Sequence, residues 1–110
     1  MPLTREFKET FGKLCEKPKY RQALLREILE LYLSDDDDVC IAYSHFRDYL
    51  NATGSFARFA EKMGIEESSL RRMFGKNGNP TGRNLSKVFR LAWEQEAITA
   101  KISCWVMETA

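Results

Sequence analysis

The chain of 110 residues is 44% hydrophobic and 30% charged and has a formal net charge of +1. These values are typical of a single globular domain with a modest core. No apolar run approaches the length of a membrane span, and the N-terminal segment is too charged for a secretory signal, so we expect a cytoplasmic protein.

Two helices are predicted in the first third of the chain. Apolar residues recur at helical spacing over residues 3–14, and Thr4 is placed to cap this helix. Pro18 begins the next segment, in which two adjacent apolar stripes run over residues 19–33. One stripe consists of Tyr20, Leu24, Ile28 and Leu31, and the other of Leu25, Leu29 and Leu33. We expect burial between two neighbours; the alternative is that the second stripe is a partner surface.

Four consecutive aspartates follow, from Asp35 to Asp38. We expect a solvated loop whose last member, Asp38, caps a third helix from Val39 to about Asn51. The run lacks the alternating acidic positions, central glycine and later glutamate of a calcium loop. Docking of a basic partner protein is the alternative to simple solvation.

The next two predicted helices are short, amphipathic and separated by one glycine. Ser55 is the expected N-cap of the first, and Gly64 ends it with the positive φ of a sharp turn. The second runs over residues 66–74 and starts at an acidic pair that suits a helix N-terminus. The apolar face of the first consists of Phe56, Phe59, Ala60 and Met63. The polar face of the second consists of Glu67, Ser68, Arg71 and Arg72. This spacing is that of a DNA-reading helix-turn-helix.

A further helix is predicted from about Arg83 to Glu94, with Thr81 at its start. Its inner face consists of Leu85, Val88, Phe89 and Ala92. The preceding glycine-containing loop carries Lys76, Asn77 and Asn79. This loop is typical of a turn, and a turn that exposes backbone N–H groups also suits phosphate.

The C-terminal tail changes to a period of two residues, which is typical of a β-strand. Its alternating positions are Ile98, Ala100, Ile102, Cys104 and Val106. Because one strand cannot satisfy its own backbone, we expect it to pair with the same strand of a second copy. A frayed or helical tail is the alternative.

Cysteines and charge complete the picture. Cys15, Cys40 and Cys104 are widely spaced, and His45 is the single histidine, so neither a disulfide framework nor a metal site is indicated. No nucleophile, base and orienting group can be named, so we expect no enzyme and no cofactor. Residues 55–96 carry eight lysines and arginines against five acidic residues, an excess that favours phosphate as a partner.

A family resemblance accompanies these patterns. The residues that carry it are Phe59-Ala60, Gly64, Ile65, Leu70 and Asn79-Pro80, which resemble the repressor-like helix-turn-helix of phage Cro and lambda repressor. Over nearly its whole length, from MPLTREFKET through FRDYLNAT to RRMFGKNGNPTGRNL, the chain is similar to addiction-module antidotes, the antitoxin half of toxin–antitoxin pairs. Two positions depart from the repressor-like pattern, since Phe56 and Glu67 stand where polar uncharged residues are common.

The sequence therefore predicts an all-α fold of five to six helices with a short C-terminal strand. Residues 1–53 form N-terminal helices, 54–96 the DNA-binding region and 97–110 a dimerisation tail, within one domain. The resemblance implies a homodimeric, autorepressing antitoxin that binds a double-stranded operator and possesses a toxin partner. The alternative is a protein-interaction module that keeps the helix-turn-helix as scaffold.

Candidate site residues follow from this hypothesis. Glu67, Ser68, Arg71 and Arg72 are the predicted base-reading residues. Ser55, Lys76, Asn77, Asn79 and Arg83 are the predicted phosphate-binding residues. Leu25, Leu29 and Leu33 are the candidate toxin surface.

Overall fold

The structure, a computed structural model, describes residues 5–96, which form six α-helices. They are α1 (Arg5–Leu14), α2 (Pro18–Ser34), α3 (Asp36–Ala52), α4 (Phe56–Met63), α5 (Glu67–Met73) and α6 (Gly82–Gln95). The all-α prediction is confirmed for this part of the chain, which contains no strand. The predicted strand over residues 98–106 lies outside the described residues.

Helices α2 and α3 form a long antiparallel hairpin. Pro18 is the first residue of α2, where its fixed φ suits a helix and its missing N–H has no intrahelical partner to lose. Asp35 separates the two helices in extended conformation, and its side chain accepts a hydrogen bond of 3.1 Å from the backbone N–H of Asp37. The prediction that Asp38 caps α3 is wrong. The helix starts three residues earlier because aspartates in a first turn are stabilised by the helix dipole.

An aromatic cluster joins this hairpin to the remaining helices. The largest fully buried side chains are Tyr49, Phe46, Phe56, Phe59 and Phe74. The ring of Phe46 lies 5.2 Å from that of Phe74 and 4.9 Å from that of Phe89. One core therefore contains residues from both sides of position 54, and ring packing holds α6 and the end of α5 against α3.

The two apolar stripes of α2 have different surroundings. Leu24 and Ile28 of the first stripe are buried, and so is Leu25 of the second. Leu29 is half-buried and Leu33 is 61% exposed. The assignment of Leu25 to a partner surface is wrong, because this side chain is fully buried in the core. An exposed apolar side chain remains only towards the C-terminal end of this stripe.

The turn between α4 and α5 has the predicted form. Gly64 is the C-cap of α4 with a φ of 70°, and its N–H donates to the carbonyl of Glu61. The N–H of Ile65 donates to the carbonyl of Ala60 at 3.1 Å, and the half-buried Ile65 side chain packs against the core. Two carbonyls at the end of α4 are thus satisfied within the turn. Ala60 is 2% exposed, as close packing of α4 on its neighbours requires.

The first and last helices complete the fold. α1 has no buried residue and makes its contact through aromatic rings, with Phe11 edge-on to Tyr20 at 6.2 Å. α6 begins at Gly82, and the Thr81 hydroxyl accepts from the N–H of Asn84 at 3.1 Å, so the predicted cap is confirmed. Among the described helices, none is both long and apolar enough to cross a membrane.

Candidate nucleic-acid interface

Helix α5 has one face in the core and the other in solvent. Leu70 is fully buried and Met73 is half-buried against the core, which fixes the rotation of the helix about its axis. The four side chains predicted to read bases, Glu67, Ser68, Arg71 and Arg72, are all exposed. The structure therefore brings these four residues together on a single accessible face.

Arg71 is held in place by three residues. Its Nη2 donates to Oε1 of Glu67 at 3.0 Å, and its Nη1 donates to Oδ1 of Asn51 at 3.1 Å. Its Cζ lies 4.3 Å from the centre of the Phe56 ring, at cation–π distance. The side chains of Arg71 and Glu67 are about half exposed, so their ion pair is partly screened by solvent. Arg71 thus makes more side-chain contacts than Arg72, the other arginine of this face.

Arg72 and Ser68 face solvent with fewer contacts. Arg72 donates a long hydrogen bond of 3.4 Å from Nη2 to the hydroxyl of Ser69, one turn earlier on the same helix. Such a bond is weak, so the guanidinium can exchange it for a stronger acceptor. Ser68 is exposed near the N-terminus of α5.

The loop after α5 folds back against the end of that helix. The N–H of Gly78 donates to the carbonyl of Gly75 at 3.0 Å, and a Cβ on Gly78 would lie 2.2 Å from the carbonyl oxygen of Met73. Only glycine fits this close approach. The predicted phosphate-binding residues Lys76, Asn77, Asn79 and Arg83 are all exposed, on this loop and at the start of α6.

Ser55 does not belong to this surface. It is fully buried, and its hydroxyl lies 2.6 Å from that of Thr53 and accepts from Nε2 of Gln95 at 3.0 Å. Its backbone N–H donates to the carbonyl of Leu50. The predicted phosphate contact of Ser55 is therefore wrong, and its side chain also makes no hydrogen bond to the N-terminus of α4. Serine before an apolar helical pattern suits a helix cap, but here the side-chain amide of Gln95 on α6 donates to the hydroxyl instead.

A buried polar network was missed by sequence reasoning. The carboxylate of Glu96, 5% exposed, accepts from Nε of Arg21 at 2.9 and 3.0 Å and from the Tyr49 hydroxyl at 2.7 Å. Gln95 donates to the same hydroxyl at 2.9 Å. Burial, reinforced by the hydrogen bond to Glu96, raises the pKa of Tyr49 above its usual range. Arg21 and Glu96 are 75 positions apart, so no local sequence pattern predicts their pairing.

An open groove of about 250 Å³ lies between α4 and α6. It is lined by Arg58, Phe59, Lys62, Leu91, Glu94 and Gln95. None of these residues belongs to the exposed face of α5. Within residues 5–96, no group of three or more histidines, cysteines or acidic residues is arranged to hold a metal ion.

Comparison of the chain with protein-family models, with curated proteins and with solved structures returned no match.

Proposed function

We propose that this protein is a sequence-specific DNA-binding transcriptional regulator of the helix-turn-helix type. The observation that carries the proposal is the orientation of α5, whose buried Leu70 leaves a polar, exposed face beside a cationic loop. An α-helix fits the major groove of B-form DNA, where each base pair presents a distinct pattern of donors and acceptors. Helix α5 enters this groove in the proposed complex.

The exposed residues divide into two roles. Arg72, Ser68 and Glu67 contact base edges, with arginine suited to guanine and a carboxylate suited to the amino group of cytosine. Arg71 contacts bases or backbone. Lys76, Asn77, Asn79 and Arg83 bind phosphates and set the position of α5 along the duplex. Ser55, being buried, has no part in this interface.

A homodimer follows from the modest positive charge of the DNA-binding region. Two copies double the number of phosphate contacts and match two operator half-sites related by a two-fold axis. The strand predicted over residues 98–106 is the proposed dimer contact. The operator is proposed to lie near the protein's own promoter, so that binding represses its synthesis.

The antitoxin proposal adds a second, protein-binding surface. Leu33 is 61% exposed at the end of α2, next to the exposed Asp35 and Asp37, and Leu29 is half-buried one turn earlier. An apolar residue beside carboxylates suits a basic toxin. Co-expression with the neighbouring open reading frame tests this, and failure both to co-purify and to rescue growth would sink the antitoxin proposal.

A protein-interaction module is the second candidate. The pairing of Glu67 with Arg71 favours it, because this pair reduces the positive charge of the α5 face. The exposure of Arg72, Lys76 and Arg83 opposes it, since three unburied cations around one short helix suit phosphate better than protein.

The deciding experiment is a titration with duplex DNA from upstream of the gene, at several salt concentrations and with random-sequence competitor. We expect tight, competitor-resistant binding whose affinity falls steeply with salt. Binding no tighter than to random DNA would favour the interaction module.

One arginine variant and one lysine variant distinguish base reading from phosphate binding. Arg72→Ala is expected to cost about 1 to 3 kcal/mol on the operator and to relax specificity, because a base contact is lost. Lys76→Ala is the matched control and is expected to weaken operator and random DNA alike. Equal losses on both DNAs for Arg72→Ala would refute the base-reading role of Arg72.

A further inference from the structure

The side chain of Arg71 extends from the exposed face of α5 towards the two preceding helices. Asn51 lies in the last turn of α3 and Phe56 is the first residue of α4, yet both contact the guanidinium. Glu67, one turn earlier on α5, contacts it from the third side. One side chain thus connects three helices at the edge of the proposed interface.

We infer that Asn51 and Phe56 are positioning residues that hold Arg71 as a clamp for a DNA backbone phosphate. This inference rests on the proposed function and assigns Arg71 to the backbone rather than to a base. A side chain that reads bases must project along the ridge of α5 into the floor of the groove. Arg71 instead reaches sideways to α3 and α4, and in the proposed complex this side faces the phosphates that border the groove.

The chemistry of the guanidinium supports this assignment. It carries five N–H donors in a planar fork, and two of these are used by Asn51 and Glu67. The remaining N–H groups can donate to the oxygens of a phosphate, which accepts two parallel hydrogen bonds from a guanidinium. The Phe56 ring against one face restricts rotation of the fork, so less conformational freedom is lost when DNA binds.

The same geometry removes Glu67 from direct competition with phosphate. Its Oε1 accepts from Arg71, so part of its negative charge is offset where the backbone would approach. Phe56 is 2% exposed and acts from within the core, whereas Asn51 is exposed. Asn51 can therefore be altered without disturbing core packing.

The test compares variants by fluorescence anisotropy with labelled duplexes, one from upstream of the gene and one of random sequence, over a range of salt. Arg71→Ala is expected to weaken both duplexes by the same factor and to lower the slope of log affinity against log salt by about one per protomer. Asn51→Ala is expected to weaken both about three- to tenfold, as loss of one orienting hydrogen bond does. The double variant is expected to bind no more weakly than Arg71→Ala alone, because Asn51 acts through Arg71.

Substitutions of Phe56 provide an independent test. Phe56→Leu keeps an apolar side chain but removes the ring face, so we expect it to weaken binding of both duplexes. Phe56→Tyr keeps the ring, so we expect it to bind both duplexes as the unaltered protein does. Thermal unfolding of each variant separates this effect from loss of fold. If Phe56→Leu unfolds, the Asn51 variants alone decide.

Three results would overturn the inference. Loss of operator binding by Arg71→Ala with random DNA unaffected would make Arg71 a base reader. Additive losses in the double variant would show that Asn51 does not act through Arg71. If the unaltered protein binds neither duplex, the proposed function fails as well, which distinguishes this outcome from the first two.

Discussion

At the scale of single residues, the hydroxyl of Tyr49 donates a buried hydrogen bond to the carboxylate of Glu96. A buried carboxylate is stable only when its oxygens accept from strong donors, and Glu96 has Arg21 and Tyr49. Every buried side-chain nitrogen and oxygen among the described residues has a hydrogen-bond partner. The network ties the end of α6 to both helices of the α2–α3 hairpin.

Tyr49→Phe tests this network. We expect a loss of about 1 to 3 kcal/mol in the free energy of unfolding at neutral pH, because a donor to a buried charged group disappears. The raised pKa of Tyr49 means that the folded protein keeps a proton that the unfolded chain releases near pH 10. Stability of the unaltered protein therefore falls as pH rises above about 10, and the variant is expected to fall less steeply. Urea denaturation across this range measures both effects.

Tyr43→Phe is the matched control, at a half-buried tyrosine of the same helix. It leaves Tyr49 and Glu96 unchanged, so we expect a smaller loss at neutral pH. An equal loss in the two variants would show that the hydrogen bond to Glu96 adds nothing beyond removal of a phenol group.

At the scale of elements, four consecutive aspartates stand at the start of α3, and the sequence alone does not show which of them is the N-cap. Asp35 has the extended backbone and the side-chain hydrogen bond of an N-cap, whereas Asp38 lies within the helix. Asp35→Ala is expected to destabilise the protein by about 1 kcal/mol, as loss of a capping aspartate does. Asp38→Ala is expected to cost less, since only its interaction with the helix dipole is lost. A larger effect of Asp38→Ala on the urea midpoint would contradict this assignment.

The conformation of the loop between α5 and α6 requires glycine at position 78 more strictly than at position 75. A Cβ on Gly78 would collide with backbone oxygens of α5, whereas a Cβ on Gly75 has its nearest neighbour at 3.4 Å. Gly78→Ala is expected to lower stability by about 1 to 3 kcal/mol, because the loop must shift, and to weaken DNA binding through displaced Lys76 and Asn77. Gly75→Ala is the control, with a smaller expected effect on the thermal midpoint. Equal tolerance of the two changes would count against the packing of this loop.

At the scale of the whole molecule, the proposed dimer is the property to measure. We expect the full chain to sediment as a dimer, and a chain ending at Glu96 to sediment as a monomer with weaker operator binding. Retaining Glu96 keeps the buried network with Arg21 and Tyr49 intact. A truncated chain that still forms dimers would place the dimer contact within residues 1–96, and a monomeric full chain would refute the dimer.

The sequence by itself determined that residues 5–96 fold into five to six helices, and it determined most of their ends. These features depend on local chemistry: apolar side chains at helical spacing, a glycine with positive φ at Gly64, and a hydroxyl cap at Thr81. The polar face of α5 and the cationic loop that follows it could be predicted for the same reason. Each of these signals lies within a few residues of the feature that it specifies.

Only the tertiary structure decided which side chains are buried and which cations are held. Leu25 and Ser55 are fully buried, Ser55 accepts from Gln95, 40 positions away, and Arg71 is held by Asn51, 20 positions away. The Glu96 network joins residues up to 75 positions apart. Such contacts arise from the packing of helices on one another, and the periodicity of a single helix shows that it has an apolar face without showing what will cover it.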